Sequence, residues 1–358
     1  MAPSIRVIGM MSGTSLDGMD LACVRFWQQN DRWQFAIEAA DSQPYSTQWV
    51  ERLRNGLHTE GHELDTLDLD FSLLVAERIQ AFIAQFELSN VDFVSSHGHT
   101  LKHRPQEGYT LQIGNRPLLA GRLQLPVVCD FRVQDVAFGG QGAPLVPIGD
   151  RLLFGTYDAC LNLGGFSNIS FETNQNAQKR RLAFDCSPVN TVLNTLIAPL
   201  GLPYDNGGNV ARQGKVHADL LTALNQLPYY QQGAPKSLGV EWLNQAFYPI
   251  LARFLLSIPD QLATVVEHIA QQIAATFPID AKCVLVTGGG AYHQYLMERM
   301  QAHAPNTKLH VPDNQLLEFK EALIFAFLGL LRWQNQINVL ASVTGASHEH
   351  SSGQIYLP

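Results

Sequence analysis

IRVIGMMSGTSLDGMDLACVRF, residues 5–26, is two apolar runs joined by one polar turn. Ile5 to Gly9 reads as a strand, Ser12 to Gly18 as a glycine-bearing turn, and Asp20 to Phe26 as a second strand. A third apolar run, Trp33 to Ala39, follows the turn pair Asn30-Asp31. Consecutive short runs joined by tight turns form an antiparallel meander. Beyond it the period changes. Leu67, Phe71, Leu74, Ile79 and Phe82 fall on one face of a helix expected over Leu64 to Phe86. Strands are expected at Val91 to Ser95, Thr110 to Ile113 and Pro126 to Asp130, with a helix at Pro117 to Gln124.

The same order begins again near Ala159. Ala159 to Asn162, Ser167 to Phe171 and Leu182 to Asp185 read as three strands with tight turns. Helices are expected at Asn190 to Ala198, Ala218 to Asn225, Asp260 to Phe277, Gln294 to Ala302 and Glu318 to Gln334. Strands are expected at Lys282 to Thr287 and Lys308 to Val311, and Pro228 to Leu243 reads as loop. Each round predicts a mixed sheet with helices on it, hence two α/β lobes with a cleft between them.

Bulk properties narrow the function. The 358 residues carry a formal net charge of −8, which argues against non-specific binding to nucleic acid or anionic membranes. Apolar residues make up 46%, enough for a sizeable core, and no apolar stretch reaches the length of a membrane span. Cys23, Cys129, Cys160, Cys186 and Cys283 are odd in number and form no CxxC pair, so they read as small buried residues in a reducing, cytoplasmic setting. The tail His348-Glu349-His350 reads as a solvated loop.

Four polar turns are candidates for chemistry. In Ser12 to Gly18, glycines let backbone N–H groups approach phosphate oxygens, the hydroxyls of Ser12, Thr14 and Ser15 add donors, and Asp17 can orient Mg²⁺-bound water or a sugar hydroxyl. A plain hairpin turn is the other reading. The sequence Ser95-Ser96-His97-Gly98-His99-Thr100, near Lys102, His103 and Arg104, reads as either a solvated basic loop or a clamp on an anionic sugar substituent. Arg132, before the cluster Gly139-Gly140-Gln141-Gly142, is a candidate partner for a carboxylate or phosphate. The run Leu161 to Ile169 contains Asn162 and a Gly164-Gly165 hairpin, and Asp185 ends the neighbouring strand. Asp185 fits a general base or a helix N-cap. Gly288-Gly289-Gly290, between strand and helix, has the form of a nucleotide-phosphate turn.

Taken together the turns are specific. GMMSGTSLDGMD (9–20), SSHGHTLKHRP (95–105), TLQIG (110–114), VVCDFRVQDVAFGGQGAPLVP (127–147), LNLGGFSNIS (161–170), VTGGGAYH (286–293) and SVTGAS (342–347) resemble the anhydro-N-acetylmuramic acid kinase family of the actin/hexokinase/Hsp70-like ATPase superfamily. The resemblance implies an α/β fold of two actin-like (ribonuclease H-like) lobes, with mixed sheets and an interlobe ATP cleft. It divides the chain at residues 1–132 with 336–358 for the first lobe and 133–335 for the second. It implies ATP and Mg²⁺ as ligands and a homodimer. It makes Asp185 the catalytic base, and assigns ATP phosphates to Ser12, Gly13, Thr14, Ser15, Asp17, Gly18, Asn162, Gly164 and Gly165. Gly288, Gly289 and Gly290 lie on the adenosine side, and His97, Arg132, Asn190 and Glu321 on the substrate side. Mg²⁺ is expected to be held mainly through the ATP phosphates. One departure stands out: Cys186-Ser187-Pro188-Val189-Asn190 replaces the family's Thr-Gly-Pro-Gly-Asn, which implies ordinary negative φ angles there.

The implied reaction is water attack on C1 of 1,6-anhydro-N-acetylmuramic acid, assisted by Asp185, as O6 takes the γ-phosphoryl group. Burial would raise the Asp185 pKa, and Mg²⁺ or Arg132 is expected to offset that rise. Alternatives are an ordinary sugar kinase acting on a free hydroxyl and a sugar-sensing regulator of the same superfamily. The first strand begins at Ile5, which leaves no room before it for a DNA-binding helix pair.

Overall fold

The computed structural model describes residues 4–175 and 178–358. The chain forms two compact units, Met1–Leu153 with Phe319–Pro358, and Phe154–Glu318. In the first, β1 (Ile5–Ser12), β2 (Gly18–Gln29) and β3 (Arg32–Pro44) make the meander. The β2–β3 hairpin turns at Asn30 and Asp31 with φ of 52° and 57°, the paired left-handed conformation that matches strand twist. β4 (Phe93–Arg104) then adds parallel to β1, β5 (Tyr109–Ile113) antiparallel to β4, and β6 (Val127–Cys129) parallel to β4. The C-terminal strand Gln354–Tyr356 closes the edge beyond β6.

The second unit repeats the plan. β7 (Ala159–Leu163), β8 (Phe166–Gln175) and β9 (Gln178–Pro188) form a meander. β10 (Cys283–Thr287) and β11 (Lys308–His310) follow as parallel strands, giving the order β11-β10-β7-β8-β9. A three-stranded antiparallel meander extended by parallel strands is thus present twice.

Period-2 alternation sends each central strand's side chains to two buried faces. In the first unit Ile8, Met10, Leu21 and Val94 pack with Phe71, Ile79 and Phe82 of the helix Gly61–Gln85. The opposite face meets the helix Asn314–Trp333: Phe26 lies 5.4 Å from Phe327, and Phe93 stacks on Trp333 at 5.1 Å. Each fully buried phenylalanine contributes roughly 2–3 kcal/mol. In the second unit the helix Ile258–Ala274, capped by the Ser257 hydroxyl, buries Leu262, Val265, Val266 and Ile269 in the core that contains Leu161 and Val286.

Three stretches differ from the sequence reading. Residues 95–100 are not a loop: β4 runs through to Arg104 because β1 and β5 supply its backbone partners. The Pro228–Leu243 loop contains a 3₁₀ turn at Pro228–Gln231, and a helix starts within it at Val240. His350 is buried rather than solvated, bridges to Val339, and has Nε2 3.6 Å from Asp135. The helix Thr47–Gly56 and the strand Gln354–Tyr356 were not anticipated.

Gly9 shows how tightly sheet and helix meet. A Cβ there would stand 2.0 Å from the Ala322 carbonyl oxygen and 2.9 Å from the Ala326 Cβ. Neither backbone can yield cheaply. Gly9→Ala is expected to cost about 1–3 kcal/mol or more. A melting temperature equal to wild type would contradict that packing.

Candidate active site

The candidate residues of the first unit lie at the end of β1, within β4, just after β6 and on the helix Asn314–Trp333. Ser12 closes β1, and its buried hydroxyl lies 2.6 Å from the Tyr45 hydroxyl and 2.9 Å from His99 Nδ1. Beyond it the chain turns tightly, with Leu16 N–H donating to the Gly13 carbonyl (3.3 Å) and Leu16 at φ 62°. Thr14, Ser15 and Asp17 are exposed on this turn, so their polar groups are presented to solvent. Gly18 has a packing reason of its own: a Cβ would sit 2.6 Å from the Gln43 carbonyl oxygen of β3.

His97 and Arg132, 35 residues apart, are directly bonded. Arg132 Nε–H donates to His97 Nε2 at 2.9 Å, and the other ring nitrogen bonds the Gly98 carbonyl at 2.9 Å. An arginine can only donate, so Nε2 is the acceptor and Nδ1 carries the proton. The ring is buried 4.6 Å from Phe325. Burial, then the Arg132 charge, holds the His97 pKa well below its ordinary value. Arg132 Nη1 also donates to the Gly142 carbonyl at 2.6 Å. Burial lowers the Arg132 pKa to about 10, opposed by Glu321 and Asp135, so it stays cationic at neutral pH. The Glu321 residue is solvent-accessible, yet crowding by surrounding protein raises its carboxyl pKa while Arg132 and Lys320 pull it down.

The glycine cluster serves a residue that sequence reasoning missed. Asp135 is fully buried, accepting from Gly142 N–H at 2.7 Å and from the Thr344 hydroxyl at 2.8 Å. A Cβ on Gly140 would stand 2.2 Å from its Oδ2, and Gly139 and Gly142 take φ of 80° and 67°. The glycines thus wrap a carboxylate of this chain, and the loop they form anchors Arg132. Asp135 precedes the cluster by four residues, and that spacing was the available signal. The lone motif Ser342 to Ser347 is explained by the same contact through Thr344.

In the second unit three distant turns converge. Gly165 accepts from Val189 and Thr191 N–H groups, and Gly164 from Asn190 N–H, so the Gly-Gly turn is seated on the start of the helix Asn190–Ile197. Asn190 Nδ2 reaches the Leu163 carbonyl at 3.4 Å. Gly288, at φ 84°, approaches so closely that a Cβ would meet Asn162 Oδ1 at 2.6 Å, and one on Gly290 would meet Leu163 Cβ at 2.7 Å. Gly289 lies beside Asn190. The fold therefore brings Asn162, Gly164, Gly165, Asn190 and Gly288 to Gly290 together.

Asp185 lies on β9 at a bulge. Asn168 pairs with Asp185 and Ser167 with Ser187, leaving Cys186 as the extra residue. Asp185 caps no helix: the N-cap of Asn190–Ile197 is Val189. Its Oδ2 accepts from Leu238 N–H at 2.8 Å. Burial raises the Asp185 pKa, and the Leu238 bond works against that rise. Val189, in place of a family glycine, has the expected negative φ, −130°, but with ψ −96°, outside the main helical and extended regions. Cys186 is buried 3.5 Å from the Thr276 hydroxyl, and burial pushes its thiol up to about 12, so it is inert. Among the described residues no group of three or more His, Cys, Asp or Glu side chains could hold a metal ion.

The His97 geometry makes a spectroscopic prediction. Nitrogen-15 NMR of histidine-labelled protein is expected to show His97 as the neutral Nδ1–H tautomer throughout pH 6–8. An imidazolium signal for His97 at pH 7 would contradict the Arg132 bond.

The anhydro-N-acetylmuramic acid kinase family profile matches residues 5–358. Relatives of that name include proteins of Saccharophagus degradans, 36% identical over 100% of both chains, and Variovorax paradoxus, 37% identical over 98% of both. A third, from Pasteurella multocida, is 36% identical over 98% of this chain and 96% of its own. With a match this long and relatives this similar, the chain belongs to the anhydro-N-acetylmuramic acid kinase family.

Proposed function

We propose that the protein cleaves the internal bridge of 1,6-anhydro-N-acetylmuramic acid and phosphorylates it, giving N-acetylmuramic acid 6-phosphate and ADP in cell-wall recycling. The observation that carries the chemistry is Asp185: a half-buried carboxylate at a strand bulge, committed to no helix cap, with one oxygen tied to Leu238 N–H. It takes a proton from water. The resulting hydroxyl bonds C1, the C1–O6 bond breaks, and O6 bonds the γ-phosphorus of ATP. The electron pair of the broken phosphoanhydride bond leaves with ADP. Phosphoryl transfer thus does for the leaving oxygen what a second carboxylic acid does in inverting glycosidases.

The backbone N–H groups of Gly13 and Gly165 and the hydroxyls of Thr14 and Ser15 suit phosphate oxygens, with Asn162, Ser12, Asp17, Gly18 and Gly164 shaping the turns. Gly288, Gly289 and Gly290 take the adenosine side. Arg132 and Glu321 remain with His97 and Asn190 as substrate-side residues, Arg132 being the cation suited to the lactyl carboxylate. The polar turns with exposed Asp17 fit Mg²⁺ carried on phosphate rather than in a protein cage, and Mg²⁺ would neutralise phosphate charge there. Five cysteines with no disulfide among them and a wall-derived substrate support a cytoplasmic location, and family membership supports a homodimer.

Because the Asp185 pKa is raised, its protonated, inactive form persists to higher pH than for an ordinary aspartate. The acidic limb of kcat/KM is therefore expected above the usual aspartate range. Asp185→Asn is expected to lower kcat by roughly 10²–10⁴-fold. ADP and sugar phosphate, measured together by mass spectrometry, give the readout, and a variant with near-normal turnover would remove Asp185 as the base.

A further inference from the structure

β9 is the outer strand of its sheet, so a residue whose N–H and C=O face away from β8 lacks a strand partner there. Asp185 is such a residue, and a strap formed by Tyr229, Lys236 and Leu238 bonds it on that side. The Tyr229 hydroxyl donates to the Asp185 carbonyl at 2.6 Å. Asp185 N–H donates to the Lys236 carbonyl at 3.2 Å. Leu238 N–H donates to the carboxylate at 2.8 Å. From the geometry we propose that this strap, rooted at the buried Tyr229 hydroxyl, is the positioning element for the base. The inference rests on the reading of Asp185 given above and adds Tyr229, Lys236 and Leu238 to it.

Two further observations separate a positioning strap from ordinary packing. Lys236 ties the strap's ends: its ammonium donates to the Tyr229 carbonyl at 3.3 Å and sits 4.6 Å over the Tyr229 ring. Beside it lies a cavity of about 280 Å³, lined by Phe184, Cys186, Tyr230, Lys236, Gln272 and Thr276. The cavity leaves that side of residues 232–236 without close-packed neighbours, while Tyr229 itself packs against Tyr230 and Trp242. The polar contacts of the strap with Asp185 are the three hydrogen bonds. The titratable groups that interact with Asp185 are Tyr229 from the strap and Cys186 from its own strand; the Lys236 ammonium acts on Cys186, and β8 presents neutral Asn168. Tyr230 is the natural control. Its hydroxyl turns to His268 Nε2 at 2.8 Å, and it makes no bond to Asp185.

The test uses purified full-length Tyr229→Phe and Tyr230→Phe, with kcat and KM measured across pH and melting temperatures alongside. Tyr229→Phe is expected to lower kcat roughly tenfold, since small displacements of a catalytic group carry large rate penalties, with KM for ATP and sugar unchanged within about twofold. The acidic limb of kcat/KM should move to higher pH as the Leu238 bond to the carboxylate weakens. Tyr230→Phe should lower the melting temperature and leave kcat and the limb in place. If Tyr229→Phe does not fold, Lys236→Met, at a partly exposed position, should shift kcat and the limb in the same direction. Wild-type kcat and limb in the folded strap variant, or the same kcat loss in Tyr230→Phe, would overturn the proposal. An active Asp185→Asn would remove the base assignment itself, whereas an inactive Asp185→Asn beside an unaffected Tyr229→Phe would remove the strap's role alone.

Discussion

Double burial of β1 and β4, between the helices Gly61–Gln85 and Asn314–Trp333, controls where polar chemistry can stand in the first unit. A strand covered on both faces can carry polar groups only if each is bonded, or at its end, where the chain turns to solvent. Both solutions occur. Ser95, mid-strand, donates its hydroxyl to the Phe325 carbonyl, and Ser96 to Asn115. His97 is satisfied at both nitrogens, which fixes its tautomer and, through Arg132, the direction of the guanidinium. At the strand ends stand the turns Gly13 to Asp17 and, in the second unit, Gly164-Gly165 and Gly288 to Gly290. The same topology, used twice, delivers the same kind of turn twice.

Fully buried Asp135 and half-buried Asp185 are held differently. Asp135 is saturated by Gly142, Thr344 and the nearby His350, and its role is to hold a loop. Removing such a group's partners would leave a charge buried without compensation, and Gly140 packs directly against it while Gly142 N–H bonds it. Asp185 is held by its backbone and by one oxygen, so its carboxylate keeps accepting capacity, as the proposed role of base requires. Partial burial with incomplete satisfaction raises the Asp185 pKa.

Much of this was legible in the sequence. The meanders, their turns and the long helices follow from apolar period and turn chemistry, and the family resemblance rests on the same turns. What was not legible depends on contacts far along the chain. The polar string Ser95 to Thr100 looks like loop because polarity is counted locally, whereas its hydrogen-bond partners lie on β1, β5 and the helix Asn314–Trp333. Gly139 to Gly142 announced a close approach, but not that the approaching group was Asp135. Residues 228–243, rich in Gln, Pro and Gly, gave no periodic signal at all. Their order comes from pairing with the edge of β9, a tertiary contact that composition cannot show.

The central claim is that water, not a sugar hydroxyl, is the nucleophile assisted by Asp185. The direct measurement is a reaction with ATP, Mg²⁺ and 1,6-anhydro-N-acetylmuramic acid in ¹⁸O-water, with the product read by mass spectrometry. The account predicts a sugar phosphate carrying one ¹⁸O at C1 for each ADP formed. A phosphorylated product without ¹⁸O, or phosphorylation of free N-acetylmuramic acid in place of the anhydro sugar, would contradict it and leave an ordinary hydroxyl kinase.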